Sequence, residues 1–106
     1  MYQGTTPSIV YNVKNFDMTG AKLFVSFKQG TKDVITKTEG VTVVYDDIEN
    51  VSTVVCPLTQ EETLALKQGG VQTQIRFVFA NGQAYATNIV SLDVRNVLLQ
   101  GVISYE

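Results

Sequence analysis

The sequence predicts an all-β protein, an antiparallel immunoglobulin-like β-sandwich of about seven strands forming a single domain over residues 1–106. Three observations predict it. Apolar and polar residues alternate with a period of two along most of the chain, the pattern of strands with one face on a core. The β-branched runs are separated at short intervals by turn formers such as Glu39-Gly40, Asp46-Asp47 and Asn81-Gly82. A single helix signal, near residues 59–67, interrupts this pattern between two late strands. A length of 106 residues, 44% of them apolar and 17% charged, suits a globular domain that buries a core without a disulfide or a metal. With one cysteine and no tryptophan, the chain lacks the hallmarks of antibody domains. A flattened barrel is the alternative arrangement of the same strands.

The elements follow in order. "SIVYNVK" alternates Ile9, Tyr11 and Val13 against polar neighbours. "AKLFVSFKQ" places Leu23, Val25 and Phe27 on one face and Lys22, Ser26 and Lys28 on the other, with Phe24 the apolar exception on the outer face. "DVITKT", "VTVVYD" and "VSTVVCPL" are short β-branched runs. "VQTQIRFVFANG" carries the firmest alternation, Val71, Thr73, Ile75, Phe77 and Phe79 facing inward. Asn81-Gly82 suits a two-residue type I′ hairpin, because both central positions need positive φ. That loop sets Phe79 opposite Ala84, Phe77 opposite Ala86, Thr73 opposite Val90 and Val71 opposite Leu92. It also sets Val78 opposite Tyr85 on the outer face. The same register brings Asn88 onto the inner face, a mismatch that a bulge near Asn88 relieves.

In "LTQEETLALKQGG", Thr59 and Glu62 have the spacing of a capping box, each side chain satisfying the other residue's backbone N–H. Glu61 and Glu62 sit favourably in the first turn, Lys67 at the end, and Gly69-Gly70 stop the helix. About two turns are too short to stand alone, so Leu64 and Leu66 are expected to hold it against the sheets.

The chemistry is bounded by what is missing. There is no histidine, so neither a Ser-His-Asp nor a Cys-His arrangement can be built, and the usual zinc sets lose their main donors. Cys56, alone among β-branched neighbours, reads as a buried core residue. "YDDIEN" clusters Asp46, Asp47 and Glu49 without the spacing of a calcium loop and reads as a solvated turn. Gly69-Gly70 precede a strand and not a helix, the wrong context for a phosphate loop. Eight basic against ten acidic residues supply no positive field for nucleic acid. No apolar run is long enough to cross a bilayer, and the amino terminus lacks a basic region followed by an apolar stretch, which reads as an intracellular product. The expectation is a non-enzyme with no catalytic residues, no metal, no cofactor and no small-molecule substrate.

That leaves surfaces. Residues 1–7 and 96–106 are least accounted for by the sandwich pattern and read as interaction arms. Tyr2, Val97, Leu98, Leu99, Val102, Ile103 and Tyr105 are the candidate contact residues, since aromatic and apolar side chains carry interfaces. Folding of the tail back over its own core is the competing reading. A second competing reading is a carbohydrate-binding or adhesion module using Tyr85, Tyr45 or Phe24 as a stacking platform.

"QGTTP" near the start, "LTQEET" leading into "GGVQTQIRFVFANG", and "TNIVSLDVRNVL" resemble small structural proteins of tailed phages and prophages of Gram-positive bacteria. More distantly, the same segments resemble the amino-terminal domain of the phage baseplate upper protein. The resemblance implies a virion protein of the tail or baseplate region, made in the cytoplasm of the bacterial host. Its expected partners are other virion proteins and further copies of itself as a homo-oligomer. Because the chain stops at Glu106, just past the domain, the expected role is an adaptor, plug or ring and not a receptor-binding fibre.

Overall fold

The computed structural model describes residues 1–105. Among these, eight strands and one short helix follow in the order β1 (Ser8–Lys14), β2 (Lys22–Gln29), β3 (Lys32–Lys37), β4 (Thr42–Asp46), β5 (Val51–Pro57), α1 (Gln60–Leu64), β6 (Gly69–Val78), β7 (Ala84–Ala86) and β8 (Val90–Val94). One antiparallel sheet has the order β1-β5-β4; the other has the order β3-β2-β6, with β7 and β8 both pairing β6. This is an immunoglobulin-type strand order in which β1, β5 and β4 take the places of strands B, E and D, and the second sheet takes those of C′, C, F and G. No full-length strand fills the place of strand A.

Alternation does what the sequence requires of it. Leu23, Val25 and Phe27 of β2 stand opposite Phe77, Ile75 and Thr73 of β6, and all six are buried. From the facing sheet come Tyr11 of β1 and Val54 and Cys56 of β5, with Met18 and Leu66 added from connecting segments. Each such fully buried aliphatic or aromatic side chain contributes about 1.5–3 kcal/mol. Phe24 lies on the outer face opposite Arg76, with the Lys22 ammonium 5.4 Å from its ring centre.

Turns are made by local chemistry. Gly30 adopts φ +62° in the two-residue loop of the β2–β3 hairpin, while Thr31 stays at negative φ, the pattern of a type II′ turn. The "YDDIEN" cluster closes the β4–β5 hairpin: Asp46 Oδ1 accepts hydrogen bonds from the Ile48 and Glu49 amides. Asn50 takes φ +54° and presents its carbonyl to the Asn15 amide at 2.7 Å.

The last hairpin corrects the sequence reading. The Phe79 amide donates to the Gln83 carbonyl and the Gly82 amide to the Phe79 carbonyl, so the loop is Ala80-Asn81-Gly82, three residues with only Gly82 at positive φ. A type I turn closed by a left-handed glycine is the common three-residue solution. Phe77 therefore faces Tyr85, not Ala86, and Val78 faces Ala84, not Tyr85. Beyond residue 87 the expected register holds, with Thr73 opposite Val90 and Val71 opposite Leu92. The one-residue difference is absorbed between β7 and β8, around Asn88, where the Thr87 hydroxyl accepts from the Ile75 amide. This interruption divides the final strand in two and raises the count from seven to eight.

The helix is shorter than the two turns expected. It runs five residues and ends at Ala65, so Lys67 and Gly69-Gly70 lie beyond it, the glycines opening β6. The capping box is present: the Glu62 amide donates to Thr59 Oγ1 at 3.2 Å and the Thr59 amide to Glu62 Oε1 at 2.8 Å. Leu66 is fully buried, Leu64 half-buried, and Thr63 anchors the helix underneath, its hydroxyl donating to the Thr5 carbonyl at 2.9 Å.

Glu62 has a second task. Lys37 points inward from the edge strand β3 and binds Glu62 Oε1 at 2.9 Å and the Pro57 carbonyl. An inward charge on an edge also discourages strand addition there. Burial pushes the Glu62 carboxyl up, but the Thr59 amide and the Lys37 ammonium outweigh it and hold the group below its ordinary value of 4.5. A depressed carboxyl stabilises the fold above the unfolded-state pKa and loses that contribution as pH falls through the folded-state pKa. Lys37→Met is therefore expected to reduce stability by about 1–2 kcal/mol at pH 7, and urea titrations should find the gap to the parent closing below pH 4.5 as Glu62 protonates.

Candidate protein-protein interface

The two termini meet at one end of the sandwich. Tyr2 forms a parallel bridge with Arg95: the Gln3 amide donates to the Arg95 carbonyl at 2.9 Å and the Arg95 amide to the Met1 carbonyl at 2.8 Å. The Met1 ammonium donates to the Asp93 carbonyl. Gln3 is buried, its Nε2 reaching the Leu66 carbonyl.

Past Arg95 the chain leaves the sheet and folds over this N-terminal segment. Val97, Leu99 and Ile103 line a hollow of about 220 Å³ with Gln3, Gly4 and Thr5. Gln60 clamps the tail, accepting from the Ile103 amide at 2.8 Å and donating to its carbonyl at 3.0 Å. The odd-numbered apolar residues thus rest on the domain, but contact is partial: Leu99 remains 71% exposed and Ile103 58%. Leu98 and Tyr105 are fully exposed, and Val102 and Tyr2 are more than half so. All seven residues singled out from the sequence belong to this one end, and none of them joins the interior of the sandwich.

A second apolar opening, of about 590 Å³, lies along the side of the sandwich. Ile9, Tyr11 and Val13 of β1 form one wall, Val90 and Leu92 of β8 the other, with Thr73 at the floor. The Tyr11 and Thr73 hydroxyls are 2.5 Å apart and satisfy each other. Burial pushes the Tyr11 phenol up to about 12, so this pair stays neutral across the physiological range. Sequence reasoning missed this opening, because it is created by which strands lie at the sheet edges and not by any motif.

Chemistry of other kinds finds little support. Among the described residues there is no cluster of three potential metal ligands, and no helix is long and apolar enough to cross a membrane. Cys56 is fully buried, and burial raises its thiol pKa, opposite to the thiolate needed for reactivity. Of the three aromatics of the stacking-platform reading, Phe24 and Tyr85 line one hollow of about 510 Å³ and Tyr45 lies elsewhere. Tyr85 packs against Phe77 and Phe16 at centroid distances of 5.5 and 4.9 Å, whereas Tyr45 belongs to the other sheet and donates to Asn50 Oδ1.

Fold and surface together define the class: an all-β sandwich module with exposed apolar residues at its chain ends and an opening along one side. No family model and no curated protein matches the chain. Among solved structures, it is similar to part of an uncharacterized protein, lmo2446, from Listeria monocytogenes EGD-e, with a TM-score of 0.51 and 15% identity over 88% of this chain. The match spans 8% of the Listeria protein, and at this identity the likeness shows the fold alone.

Proposed function

We propose that this protein is a non-enzymatic virion component of a tailed phage or prophage, placed in the tail or baseplate region and working through protein-protein contacts. The observation that carries the assembly role is the tail: nine consecutive uncharged residues from Val97 to Tyr105, with Leu98 and Tyr105 fully exposed, clamped to the sandwich by Gln60. Water-exposed leucine and tyrosine side chains grouped at one end are more favourable once covered by a partner. The phage setting rests on the resemblance of "QGTTP", "LTQEET" and the long final hairpin to phage structural proteins.

Light scattering coupled to size exclusion tests the assembly role. The parent chain is expected to form a defined oligomer at micromolar concentration. Leu98→Asp combined with Tyr105→Asp should shift it to monomer, weakening association at least tenfold, with an unchanged thermal midpoint because neither side chain packs on its own domain. A parent that stays monomeric at every concentration, or a variant that associates as before, would overturn the assembly role. Detection of the protein in purified particles by mass spectrometry tests the virion setting.

A further inference from the structure

We infer that the open side between β1 and β8 is a strand-acceptor slot that takes residues 97–105 of a second copy of this chain. The inference rests on the assembly role proposed above and names its partner and its contact.

The slot is a missing strand. Among the described residues β1 pairs with β5 alone and β8 with β6 alone, so each presents an unpaired row of backbone N–H and C=O groups toward the gap. The chain's own Met1–Gln3 covers only the Asp93–Arg95 end of the β8 edge. In immunoglobulin-type sandwiches the first strand closes this side. Another strand is the ligand that satisfies both rows of backbone groups while covering apolar walls, as in donor-strand complementation. Ile9, Val13, Val90 and Leu92 supply those walls, and the hydroxyls of Tyr11 and Thr73 at the floor already satisfy each other. An apolar strand leaves these two hydroxyls satisfied, while Asn12, Lys14, Thr87 and Asn88 also border the opening.

The tail has the chemistry and the length to fill it. "VLLQGVISY" carries no charge. Extended, it spans about 30 Å, enough to run the full seven residues of β1. Its rest position on its own domain leaves it largely open to water: Gln60 clamps Ile103, yet Leu98 and Tyr105 are fully exposed and Leu99, Val102 and Ile103 more than half so. The tail departs at Arg95, the end of the slot that Met1–Gln3 already closes, so entering its own slot requires a full reversal past its own amino terminus. A second copy presents an unobstructed slot. Because tail and slot are different surfaces, the contact is head-to-tail and generates a ring or a filament, or a dimer if two copies exchange tails reciprocally.

Cysteine cross-linking in the full chain tests this. Val90→Cys, at a half-exposed wall position, is combined with Leu99→Cys and oxidised with copper phenanthroline. Buried Cys56 does not interfere. The expected product is a disulfide between residue 90 of one chain and residue 99 of another, seen as dimers or ladders on non-reducing gels and confirmed by peptide mass. Val90→Lys alone should weaken association at least tenfold while leaving the circular dichroism spectrum unchanged. An oligomer that forms without this cross-link, or that tolerates Val90→Lys, overturns the slot and leaves the assembly role standing. An intrachain 90–99 disulfide overturns the second copy as occupant. A parent that never associates overturns the assembly role and the slot with it.

Discussion

Phe27→Ala is expected to lower the unfolding free energy by about 3–5 kcal/mol, the range for removing a buried aromatic ring from a core. Phe27 is fully buried in the middle of β2, with Ile35 of β3 on one side and Thr73 of β6 on the other. Neighbouring strands fix the backbone there, so the surroundings cannot collapse into the space, and the vacated volume persists as a cavity. For a domain of this size the loss is a large part of the total stability, which for a small domain is about 5–15 kcal/mol. Urea unfolding followed by tyrosine fluorescence should show the midpoint falling sharply with an unchanged slope. A loss under 1 kcal/mol would mean that Phe27 does not hold the two sheets together.

Ser52→Ala is expected to cost about 2–4 kcal/mol, more than the loss of two hydrogen bonds would at a surface, because a buried amide and a part-buried carbonyl lose their partner at once. Ser52 is fully buried on β5, where its hydroxyl accepts from the Met18 amide at 2.9 Å and donates to the Phe16 carbonyl at 2.7 Å. Those two bonds hold the β1–β2 connection against the sheet. They seat Met18 in the core and place the Phe16 ring 5.3 Å from Phe77 and 4.9 Å from Tyr85, centre to centre. Amide exchange at Met18 should accelerate in the variant more than at Ile75 in the middle of β6. Equal acceleration at both would show a global loss and not the release of this connection.

Much of the architecture was legible in the residues. The inward set of β6, the outer position of Phe24, the burial of Cys56 and the Thr59–Glu62 box all follow from spacing within a single element, where covalent geometry dictates which side chains share a face. The Asn88 irregularity was legible for the same reason, since a strict pairing would have turned a polar amide toward the core. The hairpin loop was not. Asn81-Gly82 is compatible with both a two-residue and a three-residue loop, and the choice fell to the packing of Tyr85 against Phe77 and Phe16, which a one-residue shift would have broken. Ser52 escaped notice because a serine in a strand carries no signal until the segment it anchors, Phe16–Met18, is known to lie beneath it.

By itself the sequence determined the alternating strands, the turn positions, the capped helical turn and the apolar character of the carboxyl-terminal segment, since each depends on residues close together in the chain. Only the tertiary structure decided that β1 and β8 end up as free edges facing one another, that Thr73 meets Tyr11 across the sandwich, and that the tail rests on the amino terminus instead of inside the core. The reason is physical: strand neighbours are chosen by the burial of whole faces among segments far apart in sequence, 62 residues in the case of Tyr11 and Thr73. No local pattern records that competition.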